Sequence, residues 1–387
     1  MKGIFSAFQG DRTIWLVIFI LTGFSAVFVY SFVTILSKME GEPEYYYLFK
    51  HLLFVAMGFG AAYFVHRLDT RLILKLSKAM LILSAIALFV TMFFGVEVNG
   101  AGRWIRVPGL GLTFQTSDFA KLSLIIYLAV VLVKFKEQFN DWKILFWQIV
   151  VPILVICGLI FKDNFSTSFL LLLISFTMLF IGGVPFQKLI VIVLSMLFAG
   201  VLVIMIQLSF PSVKILPRLT TWVNRIDNRY VDESDNIANA QANNAQLAIH
   251  NGGIFGKGFG RGKLKEYIPE AYADFFYSSL VEEKGFLGAA ILVIAYLILL
   301  MRIIAIGLQS SNPMLTYLAF GIAIHFMAQA SINMLVCTGI FPVTGQNMPF
   351  LAMGGSAMLT ALISIAIVQA IARENTQTKT APTEEAE

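Results

Sequence analysis

"KLKEYIPEAYADFFYSSLVEEKGFLGAAILVIAYLILLMRI" (residues 263–303) decides the class of this chain. After Gly285 it runs without an acidic residue to Ile303. At ~1.5 Å per residue that length nearly crosses ~30 Å of hydrocarbon. The residues before it set Glu270, Asp274, Glu282 and Glu283 on the threshold of the run, where carboxylates are expensive. Apolar stretches of similar length recur along all 387 residues, and only 13% of residues are charged against roughly 25% in soluble domains. The fold class is therefore an all-α polytopic integral membrane protein. A membrane barrel would instead show alternating segments of about ten residues.

Outward from that stretch, ten spans are expected, near 14–36, 46–65, 73–95, 115–134, 144–161, 166–183, 187–208, 274–305, 313–336 and 353–372. They form a single membrane domain, 1–372, with one long extracytoplasmic loop, 209–273, between spans seven and eight. The polar, aromatic-free end, 373–387, is expected to be a disordered cytoplasmic tail. Basic residues mark cytoplasmic loops, and "HRLDTRLILKLSK" (66–78) and "KFKEQFNDWK" (134–143) are the richest. Both termini are then cytoplasmic, and the acid-rich "SKMEGEPEYY" (37–46) falls outside. The run after Thr13 has full spanning length and no small-residue cleavage pattern, so the first span is expected to stay.

Composition also closes some routes. The net charge of +5 is spread along the chain, as a positive-inside bias alone produces, so no nucleic-acid partner is expected. Cys157 and Cys337 both lie in apolar spans and read as packing residues. The four histidines have no metal-ligand spacing.

The outer segments, 99–118, 162–167, 209–273 and 337–352, hold nearly every unusual polar residue. Gln115, Ser117, Asp118 and Lys121 enter the fourth span. Asp118 and Lys121 share a helical face, either as an intrahelical ion pair or with Lys121 held to meet an anion. "KDNFSTS" (162–168) reads as turn chemistry through Asn164 and Ser166. Residues 236–250 carry small and polar residues at helical spacing. "GGIFGKGFGRG" (252–262) fails the phosphate-loop pattern, because the spacing before Lys257 is short and no Ser or Thr follows. Two readings stay open: a glycine backbone that holds an anion with Lys257, Arg261 and Lys263, or a flexible loop. A helix begun near Pro269 would align Asp274, Ser278 and Glu282 on one face. Asp274 has no cation among its sequence neighbours, and aromatic surroundings that strip its water would raise its proton affinity, as a general base requires. A solvated helix cap is the competing reading. Glu282 and Glu283 beside Lys284 read as a local charge cluster.

"NGAGRWI", "FQTSDFAKLSLI", "GGIFGKGFGRG", "IPEAYADFFYSSLVEEKGFLGA" and "PVTGQNMPFLAMGGSAM" resemble, in order and spacing, the signature segments of the SEDS family (FtsW, RodA and SpoVE proteins). The resemblance covers the chain from first span to last. It implies an inverting peptidoglycan glycosyltransferase that polymerises lipid II, the undecaprenyl-pyrophosphate-linked disaccharide peptide, on the outer face of the bacterial inner membrane. The family's catalytic aspartate falls on Asp274, as the base that deprotonates the acceptor sugar 4-hydroxyl. Arg103, Lys121, Arg218 and Lys257 are the implied cations for the pyrophosphate, with Asp118, Gln241, Glu270, Gln346 and Ser356 as further substrate contacts. A divalent cation such as Mg2+ or Mn2+ bridging the phosphates is chemically compatible.

The chain departs from the family at several points. Asn244-Ala245 stands where a Gln-Ser pair is usual, with Gln241 retained upstream. Asp118 replaces a glutamate, Asp163 a proline, and "YADF" the commoner "HTDF". The last motif leans toward the division branch rather than the elongation branch, which would place the protein at the septum. Implied partners are a class B penicillin-binding protein as transpeptidase, other divisome proteins and membrane lipid. Two other functions compete: a lipid-linked precursor flippase, which would need polar positions through the midplane, and a scaffold, which leaves Asp274 without a task.

Overall fold

Among the described residues, ten apolar helices build the body of the molecule, and local chemistry sets their ends. The structure, a computed structural model, describes residues 8–98, 101–106, 113–162, 164–209, 237–268 and 271–380. Helix α1 (Arg12–Glu40) begins where the Asp11 carboxylate accepts the Ile14 amide at 3.0 Å, and it ends at Gly41 in the left-handed region. There follow α2 (Glu44–Val65), α3 (Ser77–Phe94), α4 (Thr116–Lys134), α5 (Trp142–Phe161), α6 (Phe165–Ile181), α7 (Phe186–Ser209), the surface helix α8 (Ile237–Gly252), α9 (Phe276–Leu308), α10 (Pro313–Cys337) and α11 (Gly355–Thr380). Asn164 caps α6 through the Thr167 amide, as the turn reading of that hairpin expects. Leaving α8 aside, nine of these helices are long and apolar enough to span, and α6 is a shorter apolar helix of 17 residues. The chain is thus an all-α multi-pass membrane protein.

Helix α4 is the axis of the bundle, buried at every position from Lys121 to Ala129, and α3, α10, α6 and α11 pack around it. Helix α7 is more apolar still, with a mean hydropathy of 3.2 against 1.8, yet exposes Leu194, Leu197, Phe198 and Val201. An all-round apolar helix suits either protein or lipid surroundings. Position in the bundle, not sequence, separates these two.

The segment before α4 is not all turn. Strands Val96–Val98, Ala101–Arg106 and Thr113–Gln115 form a small antiparallel sheet with Trp104 opposite Gln115. The first two strands flank Asn99-Gly100, a dipeptide that favours tight hairpins. At the other end, α11 runs eight residues beyond the expected start of the tail. Its last turns are tied down: Arg373 donates to the Leu68 carbonyl, Asn375 to that of Ile306, and Thr70 to the Glu374 carboxylate. Residues 381–387 lie outside the described residues.

The glycine-rich stretch has a structural role that neither sequence reading anticipates. Helix α9 breaks at Gly285, whose φ of 66° and ψ of −167° suit glycine. The break separates the Glu282 and Glu283 carbonyls from their helical partners, the Phe286 and Leu287 amides. The loop after α8 fills the gap on both sides. Lys257 and Gly258 donate to the two carbonyls at 2.9 and 3.1 Å, and Phe286 and Leu287 donate to the Gly253 and Ile254 carbonyls at 2.8 and 3.1 Å. A Cβ on Gly256 or Gly285 would fall on the opposing backbone. Gly285→Ala is expected to cost ~1–3 kcal/mol for the dihedral alone, and more for the clash, read as a fall in the melting temperature of detergent-solubilised protein.

Candidate active site

Where the sheet meets α4, α6, α10 and α11, an open cavity of about 220 Å³ gathers Asp118, Lys121, Asp274 and Gln346 with Trp104, Gln115 and Asn347. Three segments distant in sequence thus converge. One is the turn 271–275, which brings Asp274 in half-buried, just ahead of α9. That placement corrects the expected helix start near Pro269: α9 begins at Phe276, so Asp274 stands on irregular backbone rather than on a helical face. Tertiary hydrogen bonds hold the turn. The Asn333 amide donates to the Asp274 carbonyl at 2.8 Å, and the Met353 amide donates to the Tyr272 carbonyl at 3.0 Å.

The second segment, 338–354, is non-helical chain, exposed over its first residues and buried among the helices from Gln346 to Ala352 apart from half-buried Asn347. Irregular backbone at such depth needs partners for its carbonyls, and side chains from three helices supply them. Asn333 donates to Gln346, Gln329 to Asn347, Tyr296 to Pro349 and Ser25 to Leu351. Between the last two carbonyls sits Phe350 with a φ of 63°, a conformation retained where its surroundings over-determine it. Gly345, at φ 66°, passes so close to Asp274 that a Cβ there would lie 3.2 Å from the carboxylate Oδ2.

The third is the first turn of α4. Lys121 Nζ lies 2.9 Å from Asp118 Oδ1, both residues are buried, and Ser356 donates to Asp118 Oδ2 at 3.0 Å. The ion-pair reading holds, and the pair itself lines the cavity. One of the three ammonium hydrogens of Lys121 serves Asp118, which leaves donors for an anionic guest. Among the described lining residues Lys121 is the one cation.

The other expected contacts divide between the wall and places away from it. Gln346 is in the wall, but its amide is engaged with Thr167 Oγ1 at 2.8 Å. Lys257 is exposed on the loop that closes the α9 break and does not line the cavity; Gln241, on α8, does not line it either. Arg103 lies on the second strand, and its side chain, like Arg218 and Glu270, falls outside the described residues. Glu283 pairs with Lys265 at 2.7 Å rather than with Lys284, whose ammonium sits over the Phe259 ring. Among the described residues no three His, Cys, Asp or Glu side chains cluster as a metal site.

Sequence reasoning passed over Gln329 and Asn333. Two amides four residues apart on one face of an apolar span are a usable signal, because polar groups at such depth are costly unless employed. Asn333→Leu would strip the Asp274 and Gln346 carbonyls of a donor. At ~1–3 kcal/mol per unsatisfied buried group, a loss of about 2–6 kcal/mol is expected in thermal unfolding, with reduced activity.

Comparison with known proteins agrees with this architecture. The family model described as "Cell cycle protein" (FtsW, RodA and SpoVE) matches residues 11–377. A "Probable peptidoglycan glycosyltransferase FtsW" of Trichlorobacter lovleyi is 32% identical over 362 residues, covering 92% of each chain. A protein of the same description from Geobacter sulfurreducens is 29% identical over 377 residues and 96% of each chain. Among solved structures, a chain of a peptidoglycan synthase complex, described as coordinating polymerization and crosslinking, superposes with a TM-score of 0.73 at 24% identity, over 95% of this chain and 99% of that one. The rod shape determining protein RodA of Thermus thermophilus gives 0.67 at 22% identity, over 95% and 97%.

Proposed function

The chain belongs to the FtsW, RodA and SpoVE family, and from that membership we propose that it is a peptidoglycan glycosyltransferase of the inner membrane that polymerises lipid II. The observation that carries the proposal is the meeting of Asp274 with the Asp118–Lys121 pair in one cavity that opens at one end of the bundle. In this mechanism Asp274 accepts the proton of the acceptor sugar 4-hydroxyl as that oxygen attacks the anomeric carbon of the donor. One carboxylate acting as base in a direct displacement inverts the anomeric centre. Undecaprenyl pyrophosphate leaves, and Lys121 meets its developing charge. Asp118 and Ser356 hold Lys121 in place rather than touching the sugar. A divalent ion would find two carboxylates in the cavity, one already ion-paired, and would rely on phosphate oxygens for the rest of its shell; no step above requires it.

The relatives' description favours a role in division, and a single-span transpeptidase is the proposed partner, since a similar solved chain comes from a synthase complex described as coordinating polymerization and crosslinking. The site is proposed to face outward with both termini cytoplasmic. Purified protein with that partner, given fluorescent lipid II, is expected to yield glycan strands resolved on gels. Lipid translocation across proteoliposomes without polymer would replace this reading with transport.

A further inference from the structure

The break in α9 sits beside a buried acidic pair that the proposed chemistry does not use. Glu282 and Glu283 are 3% and 1% exposed, and they face the segment that leads to Asp274. Glu282 Oε1 accepts the Lys263 and Leu264 amides at 3.0 and 3.3 Å. Glu283 Oε1 takes the Lys265 ammonium at 2.7 Å and the Ser31 hydroxyl at 2.7 Å. Lys265, itself 4% exposed, also donates to the Ser31 carbonyl of α1 at 3.0 Å and lies over the Phe32 ring. The same two glutamates use their carbonyls to receive Lys257 and Gly258. A dipeptide on a broken helix thus grips residues 257–265 through both backbone and side chains.

We propose that Glu282, Glu283 and Lys265 are positioning residues: they clamp the start of the segment that ends in Asp274 and so fix the height of that carboxylate in the cavity. The inference rests on the general-base reading. Asp274 lies nine residues after Lys265 and nine before Glu283, so the ion pair ties the chain leading into the Asp274 turn to the first turns of α9 that follow it. Asn333 and Met353 hold the far end of that chain, at Asp274 and Tyr272. Without the ion pair the near end loses its anchor to Glu283 and α1 and can shift beyond the Glu282 bonds to Lys263 and Leu264, while the main helices of the bundle keep their contacts. Ion pairing is also what Lys265 needs to stay buried, because removing one partner leaves a lone charge in a dry site.

Reconstituted protein with its transpeptidase partner tests this with four chains: wild type, Lys265→Met, the neutral pair Lys265→Met with Glu283→Gln, and Asp274→Asn. Lys265→Met is expected to lower kcat about tenfold or more, as displaced catalytic groups do, with KM nearly unchanged. Hydrogen exchange at the amides of 263–268 should accelerate, while exchange across α4 and α10 does not. The neutral pair, which leaves no lone charge, should regain most of both. Unchanged exchange at 263–268 would overturn the clamp, and faster exchange with undiminished kcat would overturn its positioning role. Loss of protection across all helices would also overturn it, since the pair would then only hold the fold. Failure of the base assignment shows separately, as undiminished turnover by Asp274→Asn.

Discussion

Asp274→Asn is expected to lower the polymerisation rate by about 10²–10⁴-fold, the range a positioned general base contributes, with lipid II affinity nearly unchanged. The substitution keeps shape and volume while removing the negative charge and the ability to accept the proton. The backbone of the turn should survive it, because Asn333 holds the Asp274 carbonyl. Gly345 leaves room beside Oδ2, so the isosteric amide fits. The measurement is the initial rate of strand formation from labelled lipid II, with unfolding temperature as control. Equal rates in wild type and variant at equal melting temperature would remove Asp274 from the chemistry and reopen the flippase and scaffold readings.

Lys121→Met should produce the second large effect, and it has two separable parts. Asp118 would be left buried with the Ser356 hydroxyl as its remaining neutral donor. Breaking a buried pair by removing one partner costs about 3–5 kcal/mol, so the melting temperature should fall sharply. Activity should fall as well, because Lys121 is the cation among the described cavity residues that can meet a leaving pyrophosphate. The double change Asp118→Asn with Lys121→Met separates the two. Neutral partners in place of both charges should recover most of the stability and none of the activity. If the double variant regained turnover with its stability, Lys121 would be a structural ion-pair partner and no more.

The limits of the sequence reading lie at particular residues. Asp118 and Lys121 were legible because an i, i+3 charge pair at the edge of an apolar run is costly and local. Asp274 was legible as an acid next to aromatics, but its setting was not. Helix periodicity extended α9 back toward Pro269, whereas bonds from Asn333 and Met353, tens of residues away, hold that stretch as a turn. The glycine loop was harder still. Its residues pattern equally well as an anion cradle or a flexible linker, and their use in bridging the α9 break depends on a backbone that arrives from another element. Gln329 and Asn333 carried a readable signal in their spacing, though not the identity of the carbonyls they serve.

The sequence by itself determined the class, the order of the ten apolar helices, and the acidic and basic residues at their ends; nine of those helices are long and apolar enough to span and Phe165–Ile181 is shorter. These follow from hydrocarbon thickness and the cost of charge within it, both of which act on each segment alone. The tertiary structure decided which apolar helix became the buried axis and which faced outward, that 338–354 threads the bundle as irregular chain, and that Asp274 meets Lys121 across a cavity. Each of those outcomes depends on carbonyls and carboxylates finding partners far away in the chain, and local pattern carries no record of such pairings.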